Sequence, residues 1–251
     1  MARAAESGDR GMSAFDTGMV LAAGLGKRMR PLTDTLPKPM VPVAGRALID
    51  RVIDRMAEAG VHRVVANLHH HRATLEAHVK SRKDVAIVTV HEPDLLETGG
   101  GVLNALPVLG PGAFFCANAD VLWLDGPRPA LKRLADAWDD GAMDVLLLMT
   151  SAATARGYEG RGDYFVDPNG KARRRRDPEI APFVYAGVQI LHPRALAGMA
   201  PGAFSLNKVY DAAEAKGRLW SVVHDGLWFH VGTPDSVTAT ERELGWSAKK
   251  A

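Results

Sequence analysis

Residues 21–43, LAAGLGKRMRPLTDTLPKPMVPV, gather four cations, Lys27, Arg28, Arg30 and Lys38, into one loop with glycines at 24 and 26 and prolines at 31, 37, 39 and 42. A strand that ends in AAG and runs on into GLGKR leaves backbone N–H groups free at its carboxyl end. Glycines let such backbone approach a ligand without a Cβ collision, and the prolines stiffen the return path so that the cations are in place before a guest arrives. The chemistry open to this loop is the holding of a polyphosphate. Asp120 supplies a complementary part. It closes the apolar run AFFCANAD, and a carboxylate at the carboxyl end of a buried strand can hold Mg2+ against phosphates through hard oxygen ligands. The loop has neither the third glycine and following helix of the dinucleotide fingerprint nor the Walker pattern. A tight surface turn with solvated charges is the alternative reading of the loop, and a carboxylate capping the next turn is that of Asp120.

The chain that must position these groups has 251 residues, 47% of them hydrophobic, and a formal net charge of +2. That is enough to bury one large core, and a single α/β domain is the expectation. The basic residues do not concentrate in one half, so neither nucleic acid nor a membrane is expected as a partner. The one cysteine, Cys116, excludes an internal disulfide and suits a reducing cytoplasm, where it reads as a small core residue. Residues 1–18 carry Gly, Ser and charges without the apolar segment of a secretory signal, and read as a flexible tail before a domain over 19–251. The uncharged run 98–119 is broken by glycines and prolines and cannot be a spanning helix. A soluble, cytoplasmic protein is expected, and nothing in the residues sets its oligomeric state.

Within the domain, β-rich runs alternate with helical patterns. GMVLAAG, VHRVVANL, DVAIVTVHE, AFFCANAD and MDVLLLMT read as strands; ALIDRVIDRMAEAG, RATLEAHVK, GGGVLNALPVL and PALKRLADAWDD read as helices. In the first helix Leu48, Val52, Ile53 and Met56 recur at helical spacing and Gly60 supplies the stop. Such alternation predicts a three-layer, Rossmann-like α/β fold around a mostly parallel sheet, with ligands bound beyond the carboxyl ends of the strands. After about Ser151 the rhythm changes: GDYFVDPNGKARRRRD predicts a hairpin, and FVYAGVQILHP and LWSVVHDGLWFHVGTP add strands. Residues 151–230 therefore read as a small antiparallel extension that walls one side of the pocket.

LAAGLGKRMRPLTDTLPKPMVPVAGRALI resembles the signature of the sugar-1-phosphate nucleotidyltransferases, and the resemblance continues through ETGGG at 97–101, NAD at 118–120 and HVGTP at 230–234. Within that family LLETGGG, GRGD at 160–163 and LHP at 191–193 most resemble the N-acetylmuramate 1-phosphate uridylyltransferases of cell-wall recycling. The resemblance implies attack by a sugar phosphate oxygen on the α-phosphorus of a nucleoside triphosphate, with pyrophosphate released and Mg2+ or Mn2+ as cofactor. It places the backbone of Leu21, Ala22, Ala23 and Gly24 beside the nucleoside and Gly26, Lys27 and Arg28 on the triphosphate. Lys38 falls between the reacting phosphates, Thr98 and Gly99 face the base, and Asp120 holds the metal. Arg28, Lys38 and Asp120 are thus the catalytic candidates. Asn118, Asp163, Glu179 and Tyr185 are candidates for the sugar pocket. The glycine run is expected to serve close backbone approach to the base, with the helix beginning at Gly100 and Thr98 as its cap.

One departure stands out: His230 occupies the position where relatives carry a second, aspartate metal ligand. Three outcomes are open, namely a softer metal on His230, an imidazolium on phosphate, or Asp120 holding Mg2+ almost alone. The triplet His69, His70 and His71 reads as a solvated loop, with His69 or Asn67 able to face the pocket. The run 173–176, four arginines, flanks the site or is solvated, and the five tryptophans read as packing residues. The expected activity is UTP with N-acetylmuramate 1-phosphate; a mannose-1-phosphate guanylyltransferase or other hexose-1-phosphate enzyme, and a catalytically silent nucleotide-sugar sensor, are the alternatives.

Overall fold

The computed structural model describes residues 15–245. Strand β1 (Thr17–Leu21) leads into the loop, whose return carries the short pair β2 (Pro42–Val43) and β3 (Arg46–Ala47) and then helix α1 (Leu48–Glu58). There follow β4 (Arg63–Leu68), α2 (Arg72–Lys80), β5 (Ala86–His91), α3 (Glu97–Leu109), β6 (Phe114–Asn118), β7 (Leu122–Leu124), α4 (Ala130–Ala137) and β8 (Val145–Ser151). The second half adds β9 (Tyr164–Val166), β10 (Ala172–Arg174), β11 (Phe183–Leu191), α5 (Asn207–Ala215), β12 (Leu219–Val223), β13 (Leu227–Phe229) and α6 (Pro234–Glu243). Among the described residues no helix is long and apolar enough to cross a membrane.

The central sheet has nine strands, ordered β5-β4-β1-β6-β11 and continuing to β8 and β12, with the β9-β10 hairpin beside the start of β11. β1 is parallel to β4 and β6, β4 to β5, and β8 to β12. Only β11 and β10, the second strand of the hairpin, run against this direction. The sheet is therefore mostly parallel, as the alternating pattern requires. One expectation is corrected: β11 and β12 are not part of an extension beside the sheet but sit within it, β12 parallel to β8, and of residues 151–230 the β9-β10 hairpin is the antiparallel addition, joined to the start of β11 and, through Lys171, to Trp220 of β12.

Strict alternation along each strand builds the three layers, because successive side chains leave a strand on opposite faces. Val20, Val64, Phe115, Ala117, Leu146 and Leu148 face a core that they share with Ile49, Ile53 and Met56 of α1, Leu75 and Val79 of α2 and Leu131 and Leu134 of α4. Met19, Val65, Phe114, Cys116, Leu147 and Met149 face the other side, against Val102 and Ala105 of α3 and Val209 and Tyr210 of α5. Cys116 is fully buried, and burial pushes its thiol up to about 12, which leaves it an inert packing group. The tail boundary also shifts. Phe15 is 2% exposed with its ring 5.0 Å from that of Phe115, so residues 15–18 belong to the fold rather than to a tail that ends before Met19. Residues 1–14 of that tail, and Trp246, lie outside the described residues.

A third, smaller apolar cluster lies under the loop. Met29, Val41, Val43, Leu48, Leu122, Phe229, Val231 and Val237 pack together, with Met29 fully buried and Phe229 1% exposed. Its members come from both ends of the chain. Helix α6 contributes Val237 to it and is tied to the turn between β2 and β3 by the Glu241 side chain, which accepts from the Ala44 N–H at 2.5 Å; its start is fixed by a capping box in which Thr233 and Ser236 each bond the other's backbone N–H, with Pro234 in the first turn. Burying Phe229 here is worth several kcal/mol. Phe229→Ala is expected to cost about 3–5 kcal/mol of stability, read as a lower urea midpoint with unchanged slope; a loss below about 1 kcal/mol would show that the cluster does not support the loop.

Candidate active site

The loop reaches the carboxyl edge of the sheet as a set of short 3-10 turns, Lys27–Met29, Leu32–Asp34 and Lys38–Met40. Apolar and charged positions interleave. Met29 is buried in the third cluster while its neighbour Arg28 is exposed, and His230 lies between the buried Phe229 and Val231. The apolar neighbours thus anchor the chain and leave the polar side chains facing the cleft. Gly26 makes the first turn possible: its φ is 62°, and a Cβ there would lie 2.8 Å from Lys38 Cβ and 3.1 Å from Thr33 Cγ2. Thr33 Oγ1 donates to the Gly26 carbonyl at 2.9 Å, which locks the two turns together.

Two cavities open along this edge. The first, about 400 Å³, is lined by Leu21, Ala22, Ala23 and Gly24 on one side, by Leu95, Glu97 and Thr98 on the other, and by Asn67. The second, about 240 Å³, is lined by Arg28, Tyr158, Asp163, Tyr185, Trp228 and His230 among others. Lys38, Asn118 and Asp120 line both. At that junction Lys38 Nζ and an Asp120 carboxylate oxygen form an ion pair, with the lysine side chain only 13% exposed. Among the described residues Arg28 has no ion-pair partner, which leaves its guanidinium available to an anion.

Asp163 enters the second cavity from the position just before β9. Gly162 makes this possible, since it has φ 70° and passes so close to Ala181 that a Cβ would lie 1.9 Å from the Ala181 carbonyl oxygen. The Tyr185 N–H donates to Asp163 Oδ2 at 3.0 Å, and burial pushes the carboxyl above its ordinary value against the opposing pull of that N–H, Arg175 and Tyr158. Trp228 fixes the opposite wall by donating its indole N–H to the Ala186 carbonyl at 3.0 Å. This wall was not marked by the sequence, where Trp228 read only as packing.

Several candidates fall elsewhere. Gly26 and Lys27 line neither cavity, Gly26 acting through its turn and Lys27 being exposed. Gly99 is buried beneath the first cavity with its N–H donated to the Phe204 carbonyl at 2.8 Å, so it does not offer that N–H to a base. A Cβ on Gly99, Gly100 or Gly101 would strike Phe204, the Gly202 carbonyl, or Glu92 with Asn67. The glycine run thus serves packing of α3 against residues 202–206 and the sheet edge, a correction to the expectation of approach to a ligand. Helix α3 begins at Glu97, not Gly100, and Thr98 is inside it rather than its cap, its Oγ1 accepting from Leu206 N–H at 2.9 Å. Glu179 is outside both cavities: Arg173 takes both of its oxygens at 2.9 and 3.0 Å. Of the other arginines of that run, Arg174 pairs with Asp211 and Arg175 with Asp177, and Arg176 donates its backbone N–H to Glu179 at 2.8 Å. Of the histidine triplet, His69 Nδ1 meets the Glu92 carbonyl at 2.9 Å, and the rings of His70 and His71 lie tilted at 57° with centroids 4.0 Å apart.

Among the described residues no three His, Cys, Asp or Glu side chains converge as a metal cluster. Asp120 and His230 offer one hard oxygen and one imidazole beside the second cavity. Burial, with Arg28 and Lys38 nearby, pulls the His230 imidazole below its ordinary value against Asp120. A neutral imidazole in this position can serve as a metal ligand. A two-donor set of this kind fits a divalent ion whose other positions are filled by phosphate oxygens and water, rather than one held in a protein cage.

A family model described as Nucleotidyl transferase matches residues 17–163. The chain is 42% identical over 231 residues to the N-acetylmuramate alpha-1-phosphate uridylyltransferase of Caulobacter vibrioides, covering 90% of this chain and 96% of that protein. It is 32% identical to the protein of the same name from Neisseria meningitidis serogroup B, covering 86% and 92% respectively. Its fold is similar to that of a UDP-glucose pyrophosphorylase from Acinetobacter baumanii, with a TM-score of 0.76, 18% identity and coverage of 94% of this chain and 95% of the other.

The two loop glycines separate backbone from space. Gly26→Ala should cost about 1–3 kcal/mol through its forced φ and the Lys38 contact. Gly24→Ala, where a Cβ meets nothing within 4 Å, should stay within about 0.5 kcal/mol. Thermal unfolding of the two variants side by side reads the difference, and equal losses would contradict it.

Proposed function

The chain belongs to the nucleotidyl transferase family, and from that premise we propose that it joins UTP to N-acetylmuramate α-1-phosphate, giving the UDP-sugar and pyrophosphate. The observation that carries this reading is the junction: Lys38, Asn118 and Asp120 are shared by two cavities, one apolar-walled and sized for a nucleoside, the other polar and sized for a sugar. A transfer between two bound substrates needs their reacting phosphates to meet at one point. The sugar phosphate oxygen forms a bond to the α-phosphorus, the bond from that phosphorus to the β-bridging oxygen breaks, and the electron pair leaves with pyrophosphate. The nucleophile is already ionised, so the protein's task is alignment and neutralisation of repelling charge.

In this reading the backbone of Leu21, Ala22, Ala23 and Gly24 borders the nucleoside and Thr98 lies opposite it. Lys38 draws both phosphates to the junction, Arg28 neutralises them from the second cavity, and Asn118, Asp163 and Tyr185 hold the sugar. The family generally uses a divalent metal; Asp120, with His230, would hold it, and when bound it supplies charge neutralisation at the phosphoryl oxygens. Such an ion would also compete with Lys38 for Asp120, freeing the ammonium for phosphate. Cell-wall recycling in the cytoplasm is the setting that fits this substrate pair.

Pyrophosphate release over a panel of triphosphates and sugar phosphates with Mg2+ or Mn2+ tests the proposal. UTP with N-acetylmuramate α-1-phosphate should be preferred. Preference for GTP with mannose 1-phosphate would contradict the substrate pair, and no release from any pair would favour a silent sensor. Asp120→Asn should lower kcat by about 100-fold or more with the fold retained; an active, metal-dependent variant would place the ion elsewhere. His230→Asp, which adds a hard oxygen, should keep or raise the Mg2+-supported rate, whereas loss of activity with every divalent ion would assign His230 to phosphate.

A further inference from the structure

Glu92 is absent from every motif above, yet it is completely buried and its carboxylate ties together the two walls of the first cavity. On one wall the Ala22 N–H, just past the end of β1, donates to Asn67 Oδ1 at 2.8 Å. Asn67, 2% exposed, passes the link on by donating its Nδ2 to Glu92 Oε1 at 2.7 Å. The other carboxylate oxygen accepts from the Leu96 N–H at 3.2 Å, and Leu96 directly precedes Glu97 and Thr98 of the opposite wall. Gly101 leaves the room that this chain of bonds occupies, since a Cβ there would lie 2.7 Å from Glu92 Oε1 and 2.8 Å from Asn67 Nδ2.

The polarity of the chain admits few solutions. Both ends are backbone donors, which cannot be reversed. The two side chains between them must together present three acceptors and one donor, which one amide and one carboxylate supply and two amides cannot. We propose that Glu92 is a positioning residue that sets the spacing of the nucleoside pocket, holding the Ala22 segment and the Leu96 to Thr98 segment at one separation through Asn67. The inference rests on the reading of the first cavity as the nucleoside site. It concerns the pocket's width and not the chemistry at the junction, so its signature is confined to the nucleotide.

The test combines three measurements. In the ligand-free wild type, amide exchange at Ala22 and Leu96 should be strongly protected; exchange of either at the rate of a free loop amide overturns the proposal. Glu92→Gln forces two donors to face each other wherever the amides are turned, leaving one buried group unpaired. The expected result is a rise of about tenfold in KM for UTP, with kcat and KM for the sugar phosphate within about twofold. The double variant Asn67→Asp with Glu92→Gln exchanges the two roles and satisfies every bond again. It should return KM for UTP to within about threefold of wild type, a rescue that general destabilisation would not produce. An unchanged KM in Glu92→Gln, or a folded double variant no better than the single one, overturns the proposal. If Glu92→Gln does not fold, the double variant and the exchange data decide. A wild type that prefers another triphosphate contradicts the uridylyl assignment but not the clamp, for which that triphosphate becomes the titrant.

Discussion

Lys38 and Asp120, 82 residues apart in the chain, form an ion pair at the one place where two cavities meet. Each partner alone would be costly there, since a largely buried ammonium without its carboxylate is left with an unpaired charge. Together they hold each other at the junction, and in the proposed reaction the ammonium would turn to phosphate while the carboxylate would hold the divalent ion. Every other feature of the site contributes to that placement.

The parallel sheet provides Asp120 for a plain topological reason. β6 ends at Asn118, and the chain turns at the carboxyl edge where parallel strands release their loops. Lys38 needs a different support because it lies in irregular backbone that no sheet holds. Its support is the small cluster built from Met29, Val41, Phe229 and Val231, which joins the loop to the last strand and to α6. Arg28 and His230 are neighbours of that cluster in sequence, so one apolar patch sets the direction of both. The second cavity depends in turn on β11, which runs antiparallel between β6 and β8. β11 shifts register against β8 between Tyr185 and Gln189, and this irregular segment offers the Ala186 carbonyl to Trp228 while Tyr185 bonds Asp163.

Those parts of the site that depend on local chain geometry were legible in the sequence. A strand running into a Gly- and Pro-rich cationic loop and an acid at the end of an apolar strand announce themselves by residue type and spacing, whereas Asp163 was marked by the resemblance of its GRGD segment to the family. Features set by distant partners were not. The three glycines of α3 look like a ligand-facing turn until Phe204 and Gly202 are seen against them, and Glu179 looks available until Arg173 claims it. Glu92 gives no pattern at all, because a lone carboxylate at a strand end reads as exposed unless its two hydrogen-bonded partners, Asn67 and Leu96, are known. Phe15 was hidden by the polar composition around it, although its ring packs into the core against Phe115. The place of β11 in the sheet was missed for a related reason: alternation reports which faces a strand buries, not which neighbours it pairs with.

A structure of the protein with its nucleotide-sugar product tests the central claim most directly. The account predicts one diphosphate spanning the junction beside Lys38 and Asp120, with the base between Ala22 and Thr98 and the sugar against Asp163. A product lying wholly within one cavity, with its diphosphate away from Lys38, would contradict it.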